Sequence, residues 1–273
     1  MKIRFATFSI ITSLVLFCTA HLSDAQDVNQ SDSQGRKIGK WIAKHDNGRT
    51  KYEGIFKDGK PTGEMKKYYS SGIMSAKLLY CPNSDSVHAE LFDKSSKPIA
   101  SGTYIGTDKI GRWQYFQNGR LAYKQDYSNN LKHGKRFMYF NDGSMFEIST
   151  WNKDSLNGEY KTFFPKIEKV DFEASYLNGK LNGDSKTYFE NGQIEAKGKY
   201  KNGKQEGTWE YFNDKGEHRY TLEYIDGRMQ ANESYDSIQT QEINSLLKHI
   251  NDKRPDPEKY VKDPYQYLQK IGE

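Results

Sequence analysis

The sequence predicts an all-β repeat protein: an elongated antiparallel β-meander of about eight 24-residue hairpin units, with a small α-helical C-terminal cap. Three observations predict it. Eight aromatic residues (Phe56, Tyr80, Tyr104, Tyr127, Trp151, Tyr176, Tyr200 and Tyr224) are separated by 24, 24, 23, 24, 25, 24 and 24 residues. Seven positions after six of them comes a glycine (Gly63, Gly111, Gly134, Gly158, Gly183 and Gly207), with Val87 and Ala231 in the other two places. Turn-forming pairs such as Asn-Gly and Asp-Gly recur between the aromatics. A fixed period of this size marks one supersecondary unit copied along the chain, since a lone hairpin cannot bury an apolar face.

The stretch from Gly183 to Lys204 displays one unit. Asn191-Gly192 and Asn202-Gly203 are tight-turn signals, read as type I′, in which both central residues need positive φ. The runs Lys186 to Glu190 and Gln193 to Lys201 are of strand length, and Tyr188, Phe189, Ile194 and Tyr200 supply the β preference. Each unit is then two antiparallel strands and two turns. First turns fall at Asn47-Gly48, Ser71-Gly72, Asn118-Gly119, Asp142-Gly143, Asn191-Gly192 and Lys215-Gly216. Second turns fall at Asp58-Gly59, Asn129-Asn130, Asn178-Gly179, Asn202-Gly203 and Asp226-Gly227. Two units depart from the pattern: Val87 to Ile110 lacks the usual aromatic pair, and Gly158 to Lys180 has Pro165 where its turn begins. Neighbouring residues on a strand face opposite sides. The period-24 aromatics therefore form one ladder, read primarily as the core of the sheet.

The termini differ from the array. Lys2 and Arg4 precede an apolar stretch from Phe5 to Ala20, and Ser23 and Ala25 occupy the −3 and −1 positions of a small-residue cleavage site. Residues 1–25 read as a signal peptide cleaved near Ala25-Gln26, so the mature chain is expected to be exported, whether periplasmic, at the cell surface or secreted. Residues 26–38 read as a flexible leader, 39–231 as the repeat array and 232–273 as a helical cap. In the last segment Tyr235, Ile238, Ile243, Leu246, Leu247 and Ile250 follow helical spacing, and Asp256-Pro257 and Asp263-Pro264 resemble helix starts. A cap at the end of an open sheet protects an otherwise unpaired edge strand.

Composition bounds the function. The chain is polar, with a mean hydropathy of −0.94, yet 14% of its residues are aromatic, which argues for a folded, thin structure over disorder. Its 41 basic and 36 acidic residues are interspersed, without the basic arm or patch expected of a nucleic-acid binder. Cys81 is the only cysteine after residue 25, so no intramolecular disulfide is expected. His45, His88, His133, His218 and His249 lie far apart and make no metal-ligand spacing. The carboxylates repeat with the units, and the glycines belong to turns. No catalytic, cofactor-binding or metal-binding residue is nominated, no cofactor is expected, and an enzyme is not the expected reading.

From Tyr52 the chain reads YEGIFKDGKPTGEMKKYYSSG, and from Ala196 AKGKYKNGKQEGTWEYF. These strings resemble MORN repeats, and the 24-residue spacing resembles the bacterial MORN-variant proteins grouped as the YwqK-like antitoxin family. The resemblance runs from Gly39 to Gln230. It implies a meander of successive hairpins and, through the antitoxin grouping, a partner protein neutralised by binding. The expected role is a non-enzymatic protein-binding scaffold in the cell envelope or outside the cell, with the partner unidentified. Two further readings stand beside it: binding of a cell-wall glycan, and attachment to an anionic membrane surface through a basic rim of Lys60, Lys132, Lys180, Lys204 and Arg228. No nucleic-acid partner is expected.

Overall fold

The computed structural model describes residues 27–230, 240–245 and 248. The expected signal peptide at 1–25 and most of the expected cap lie outside the described residues. Among the described residues eighteen strands form one open antiparallel sheet in chain order. The first six are β1 (Gln30–Ser31), β2 (Lys37–Lys44), β3 (Thr50–Lys57), β4 (Lys60–Tyr68), β5 (Met74–Tyr80) and β6 (Ser86–Phe92). The next six are β7 (Pro98–Ile105), β8 (Asp108–Gln117), β9 (Arg120–Ser128), β10 (Leu131–Tyr139), β11 (Met145–Asn152) and β12 (Ser155–Phe163). The last six are β13 (Val170–Leu177), β14 (Lys180–Tyr188), β15 (Ile194–Lys201), β16 (Lys204–Phe212), β17 (His218–Ile225) and β18 (Arg228–Met229). Each strand pairs antiparallel with its neighbours in sequence. β1 and β18 are two-residue strands that partly cover the two outermost full strands.

The two turns of a unit are physically different. Six of the eight second turns are type I′: Asp58-Gly59, Asn129-Asn130, Lys153-Asp154, Asn178-Gly179, Asn202-Gly203 and Asp226-Gly227 all have both central residues at positive φ. Most first turns are not, which corrects the type I′ reading of Asn191-Gly192. There only Gly192 has positive φ (94°), its N–H donates to Phe189 O at 2.8 Å, and Phe189 N–H donates to Gln193 O at 2.9 Å. This is a type I turn closed by a glycine bulge. Asn191 serves it through its side chain, whose Oδ1 accepts the Gln193 N–H at 2.9 Å.

The 23- and 25-residue intervals arise at these first turns. In ordinary units the strands pair as Thr187↔Ala196 or Lys67↔Ala76. In the short unit Tyr115 pairs with Tyr123 around a two-residue type I′ turn at Asn118-Gly119. In the long unit Thr162 pairs with Phe172, and Phe164 N–H closes on Lys169 O across the Pro165 loop. The ladder register is untouched.

The recurring glycine sits inside a strand and not, as the strand limits read from sequence implied, before it. Gly63, Gly111, Gly134, Gly158, Gly183 and Gly207 each lie opposite a ladder residue on the following strand, Tyr80, Tyr127, Trp151, Tyr176, Tyr200 and Tyr224. All six have positive φ, between 61° and 115°, at a bulge where the register against the preceding strand shifts. Glycine adopts that conformation without the Cβ clash that most other residues incur. In the unit with Val87 in this place, β5 and β6 pair without a shift.

Two adjustments to the expected termini follow. The leader is not wholly free: β1 pairs with β2, and Trp41 Nε1–H donates to Gln30 O at 2.9 Å. In the cap, residues 240–245 and 248 are helical. Ile243 is buried among Ala196, Trp209, Tyr211, Leu222 and Tyr224, and Tyr220 O–H donates to Glu242 Oε2 at 2.5 Å.

Candidate functional site

Strand alternation gives the sheet two unlike faces. The aromatic face carries the ladder. Phe56, Trp151, Tyr176 and Tyr224 are buried there, and Tyr80, Tyr104, Tyr127 and Tyr200 are half-buried. Beside it runs a second row, with residues from successive long strands: Trp41, Met65, Ala89, Trp113, Arg136, Tyr160, Ser185 and Trp209. Across the first-turn hairpins they pair with Gly54, Leu78, Gly102, Gln125, Ser149, Ala174, Gly198 and Leu222. Large side chains lean over small ones. A Cβ added to Gly102 would enter the Trp113 ring, with Cγ at 2.5 Å, and one at Gly198 would enter Trp209, with Cγ at 2.6 Å. Trp113 is thereby 0% exposed although the sheet is a single layer.

Polar exceptions cluster at β10–β12. Arg136 and Glu147 form an ion pair at 2.6 Å with side chains 4% and 3% exposed. Ser149 O–H donates to Glu147 Oε1 at 2.7 Å, Trp151 Nε1–H donates to Ser149 Oγ at 2.9 Å, and Tyr160 O–H donates to Glu147 Oε2 at 3.3 Å. The guanidinium lies 4.6 Å from the Trp151 ring centroid. Nearby lysines sit against rings. Lys109 Nζ lies 5.0–5.3 Å from the centroids of Trp113, Tyr115 and Tyr127, and Lys132 Nζ lies 4.6 Å from that of Trp151. Burial pushes both lysines below the usual range. Cation–π attraction of about 0.5–2 kcal/mol each offsets part of that cost.

The opposite face is charged and open. Arg112 binds Asp126 through two hydrogen bonds of 2.7 and 2.9 Å. Glu159 accepts from Lys135 at 2.6 Å and lies 2.8 Å from Lys161, which together hold its carboxyl well below the usual range, at about 2. Tyr68, pushed up to about 12 by burial, donates to Glu53 at 2.6 Å. Among these pairs stand Ile55, Leu79, Ile105, Leu177 and Ile225, between 48% and 62% exposed.

The basic rim does not form as one row. Lys60, Lys180, Lys204 and Arg228 follow their second turns and are exposed, paired with Lys57, Leu177, Lys201 and Ile225. Lys132 lies one residue further from its turn, pairs with Tyr127 and so faces the aromatic side. Lys204 is itself bound to Asp226 at 2.8 Å. A one-residue offset reverses a side chain's face on a strand.

Lys109, the Arg136–Glu147 pair and Ser185 were not nominated from sequence. The available signal was the same 24-residue period applied to the second row, where Arg136 and Ser185 interrupt a series otherwise made of Trp, Tyr, Met and Ala. Among the described residues the histidines stay apart. A His45 ring nitrogen lies 2.9 Å from Tyr68 O and one of His218 lies 2.8 Å from Thr221 Oγ1. Cys81 is half-buried.

These features define an antiparallel β-sheet repeat protein. Residues 61–81 and 181–202 match the family described as MORN repeat variant. Each matched stretch is one hairpin, β4–β5 or β14–β15, from long strand through first turn to a ladder tyrosine. A search of curated proteins finds no match. MORN-type units suggest a repeat-based binding scaffold.

Proposed function

We propose that the chain is an exported, non-catalytic scaffold that binds another protein through the charged face of its sheet. The observation that carries this reading is the set of five half-exposed aliphatic side chains, Ile55, Leu79, Ile105, Leu177 and Ile225, spread among ion pairs along that face. On the aromatic face the protein's own rings are mostly buried against one another, whereas the described residues leave these aliphatic groups of the opposite face about half-exposed. Alternating apolar and charged groups suit a partner surface of the same mixed kind, with the aliphatics as contact points and the rim charges setting orientation. Repeat arrays present extended surfaces of this sort. The division of the basic residues between two faces, and the Lys204–Asp226 pair, favour a protein partner over an anionic membrane surface.

The test is affinity capture with the tagged full chain from its own cells, beside an Ile55→Glu/Ile225→Glu variant of unchanged circular dichroism. The expected result is one stoichiometric protein that the variant fails to retain, with the captured chain beginning near Gln26. Absence of a stable partner, or equal retention by the variant, overturns the docking face.

A further inference from the structure

The middle row of the charged face is not a uniform mixture of charge. From β3 to β6 it reads Glu53, Lys66, Lys77 and Glu90, each opposite the next. From β13 to β16 it reads Glu173, Lys186, Lys197 and Glu210, again each opposite the next. Every residue of the second set stands 120 residues after its counterpart, five repeats of 24. The surroundings match too. Tyr68 O–H donates to Glu53 Oε1 at 2.6 Å, and Tyr188, also 120 residues on, donates to Glu173 Oε1 at 2.7 Å. The four lysine side chains are 40–42% exposed. Between the two sets the row runs through Ser101, Gln114, Lys124, Phe137, Ile148 and Lys161.

The fold does not require this set. One repeat on, the same places hold Lys77, Glu90, Phe92, Ser101 and Gln114, and the hairpins form all the same. Exposed ion pairs contribute about 0–1 kcal/mol each, so stability gives little reason for five side chains to recur together. Register narrows what meets them. Neighbouring strands stand about 4.8 Å apart, so four charges span about 14 Å across the sheet. A helix laid across the strands presents one side chain per turn of about 5.4 Å, or about 16 Å over four, and long side chains absorb the difference. An extended segment presents same-face side chains about 6.8 Å apart, about 20 Å in all, and loses register.

We infer that the charged face holds two equivalent sites, at β3–β6 and β13–β16, each docking one amphipathic helix of the same partner protein, whose successive turns carry basic, acidic, acidic and basic side chains. The chain then binds two partner molecules about 48 Å apart along the sheet. This rests on the protein-docking reading of that face and adds its number and chemistry. The order Glu-Lys-Lys-Glu is the same from either end, so it accepts the helix in either direction. The flanks differ. Ile55 and Leu79 border the first set where Ser175 and Lys199 border the second, so the first site is the tighter.

Native mass spectrometry of the complex recovered by the tagged full chain from its own cells tests it, together with carbodiimide coupling of lysines to carboxylates. Two copies of one protein per chain are expected. The same partner peptide should couple to Lys66 or Lys77 and to Lys186 or Lys197, through carboxylates three or four residues apart. Lys66→Gln/Lys77→Gln and Lys186→Gln/Lys197→Gln, with unchanged melting temperature, should each weaken one site about tenfold and leave one copy bound where the parent chain holds two. The variant carrying all four substitutions should hold none. One copy per chain, unlike partner peptides at the two lysine pairs, or carboxylates two residues apart overturns the inference and leaves the docking face standing. No retained protein removes the docking face and the inference together.

Discussion

Replacing Gly102 by alanine tests the fit of large side chains over small ones on the aromatic face. The new methyl would lie against Trp113, with Cγ at 2.5 Å and two fused-ring carbons closer still. Ordinary carbon contacts need about 3.5 Å, so the indole must move by roughly 1 Å. It has nowhere to go, because it is 0% exposed and its ring centroid lies 4.7 Å from that of Tyr104. Overpacking of this kind costs about 1–3 kcal/mol, and a rigid buried ring belongs at the upper end. Alanine recovers about 0.5–1 kcal/mol over glycine within a strand, leaving a net loss of about 2 kcal/mol. For an array of this length that corresponds to a fall of roughly 4–8 °C in melting temperature. Gly54→Ala is the milder comparison: its methyl would meet Met65 Cβ at 3.2 Å and Cγ and Cε at 3.3 Å, a crowding of a few tenths of an ångström that alanine's gain of about 0.5–1 kcal/mol over glycine in a strand offsets, so the expected net change is within about 0.5 kcal/mol. Thermal melts followed by near-ultraviolet circular dichroism read both variants. Equal melting temperatures for Gly102→Ala and Gly54→Ala would refute the packing argument. So would failure of a Trp113→Leu substitution to recover part of the Gly102→Ala loss.

Two further outcomes follow from the charged groups. Arg136→Leu should destabilise the chain by about 3–5 kcal/mol by stranding the buried Glu147, whereas Arg136→Leu/Glu147→Leu should cost clearly less; urea unfolding of the two variants measures the difference. Glu159 should titrate near 2, against an ordinary value of 4.5, in a carbon-13 carboxyl titration, and Lys135→Met should raise its midpoint. Because the carboxyl is depressed on folding, its contribution is complete above about pH 4.5 and disappears as pH falls through 2. At 44% exposure that contribution should stay below about 1 kcal/mol and shrink with salt. A midpoint at the ordinary value contradicts the pairing.

The ladder, the hairpin order and the second turns were legible because each rests on a local requirement written into single residues. A type I′ turn needs two residues at positive φ, and Asp58-Gly59 or Asn202-Gly203 supplies them. Asn191-Gly192 looks the same in sequence, yet Asn191 has ordinary φ and acts through its side chain. The dipeptide fits both geometries, and pairing of the flanking strands chooses between them. The bulge at Gly183 was hidden for a related reason, since a glycine inside a strand and one before it give the same letters. Lys132 was misplaced by one residue, which on a strand is the whole distance between faces. The interruptions of the second row by Arg136 and Ser185 were written in the period but become visible only when that row is aligned beside the ladder.

The two edges of the sheet differ in what they tolerate. At the second-turn edge the backbone reaches past one strand: Gly59 N–H donates to Lys37 O, Asp154 to Lys132 O, Gly179 to Leu156 O, Gly203 to Leu181 O and Gly227 to Gln205 O, at 2.8–3.0 Å. With Asn130 N–H donating to Lys109 O at 3.1 Å, six of the eight second turns are stitched in this way to the strand before, and there an extra residue would break the stitch; the longer turn between Tyr80 and Ser86 and the turn at Gly106 carry none. The first-turn edge has already absorbed one residue lost at Asn118-Gly119 and one gained at Pro165. An evolving array of this kind can lengthen by whole units along its spine and acquire new loops at its fringe or where a stitch is missing, as between Tyr80 and Ser86. Diversity of recognition would then accumulate on one margin of the sheet while the other keeps the count.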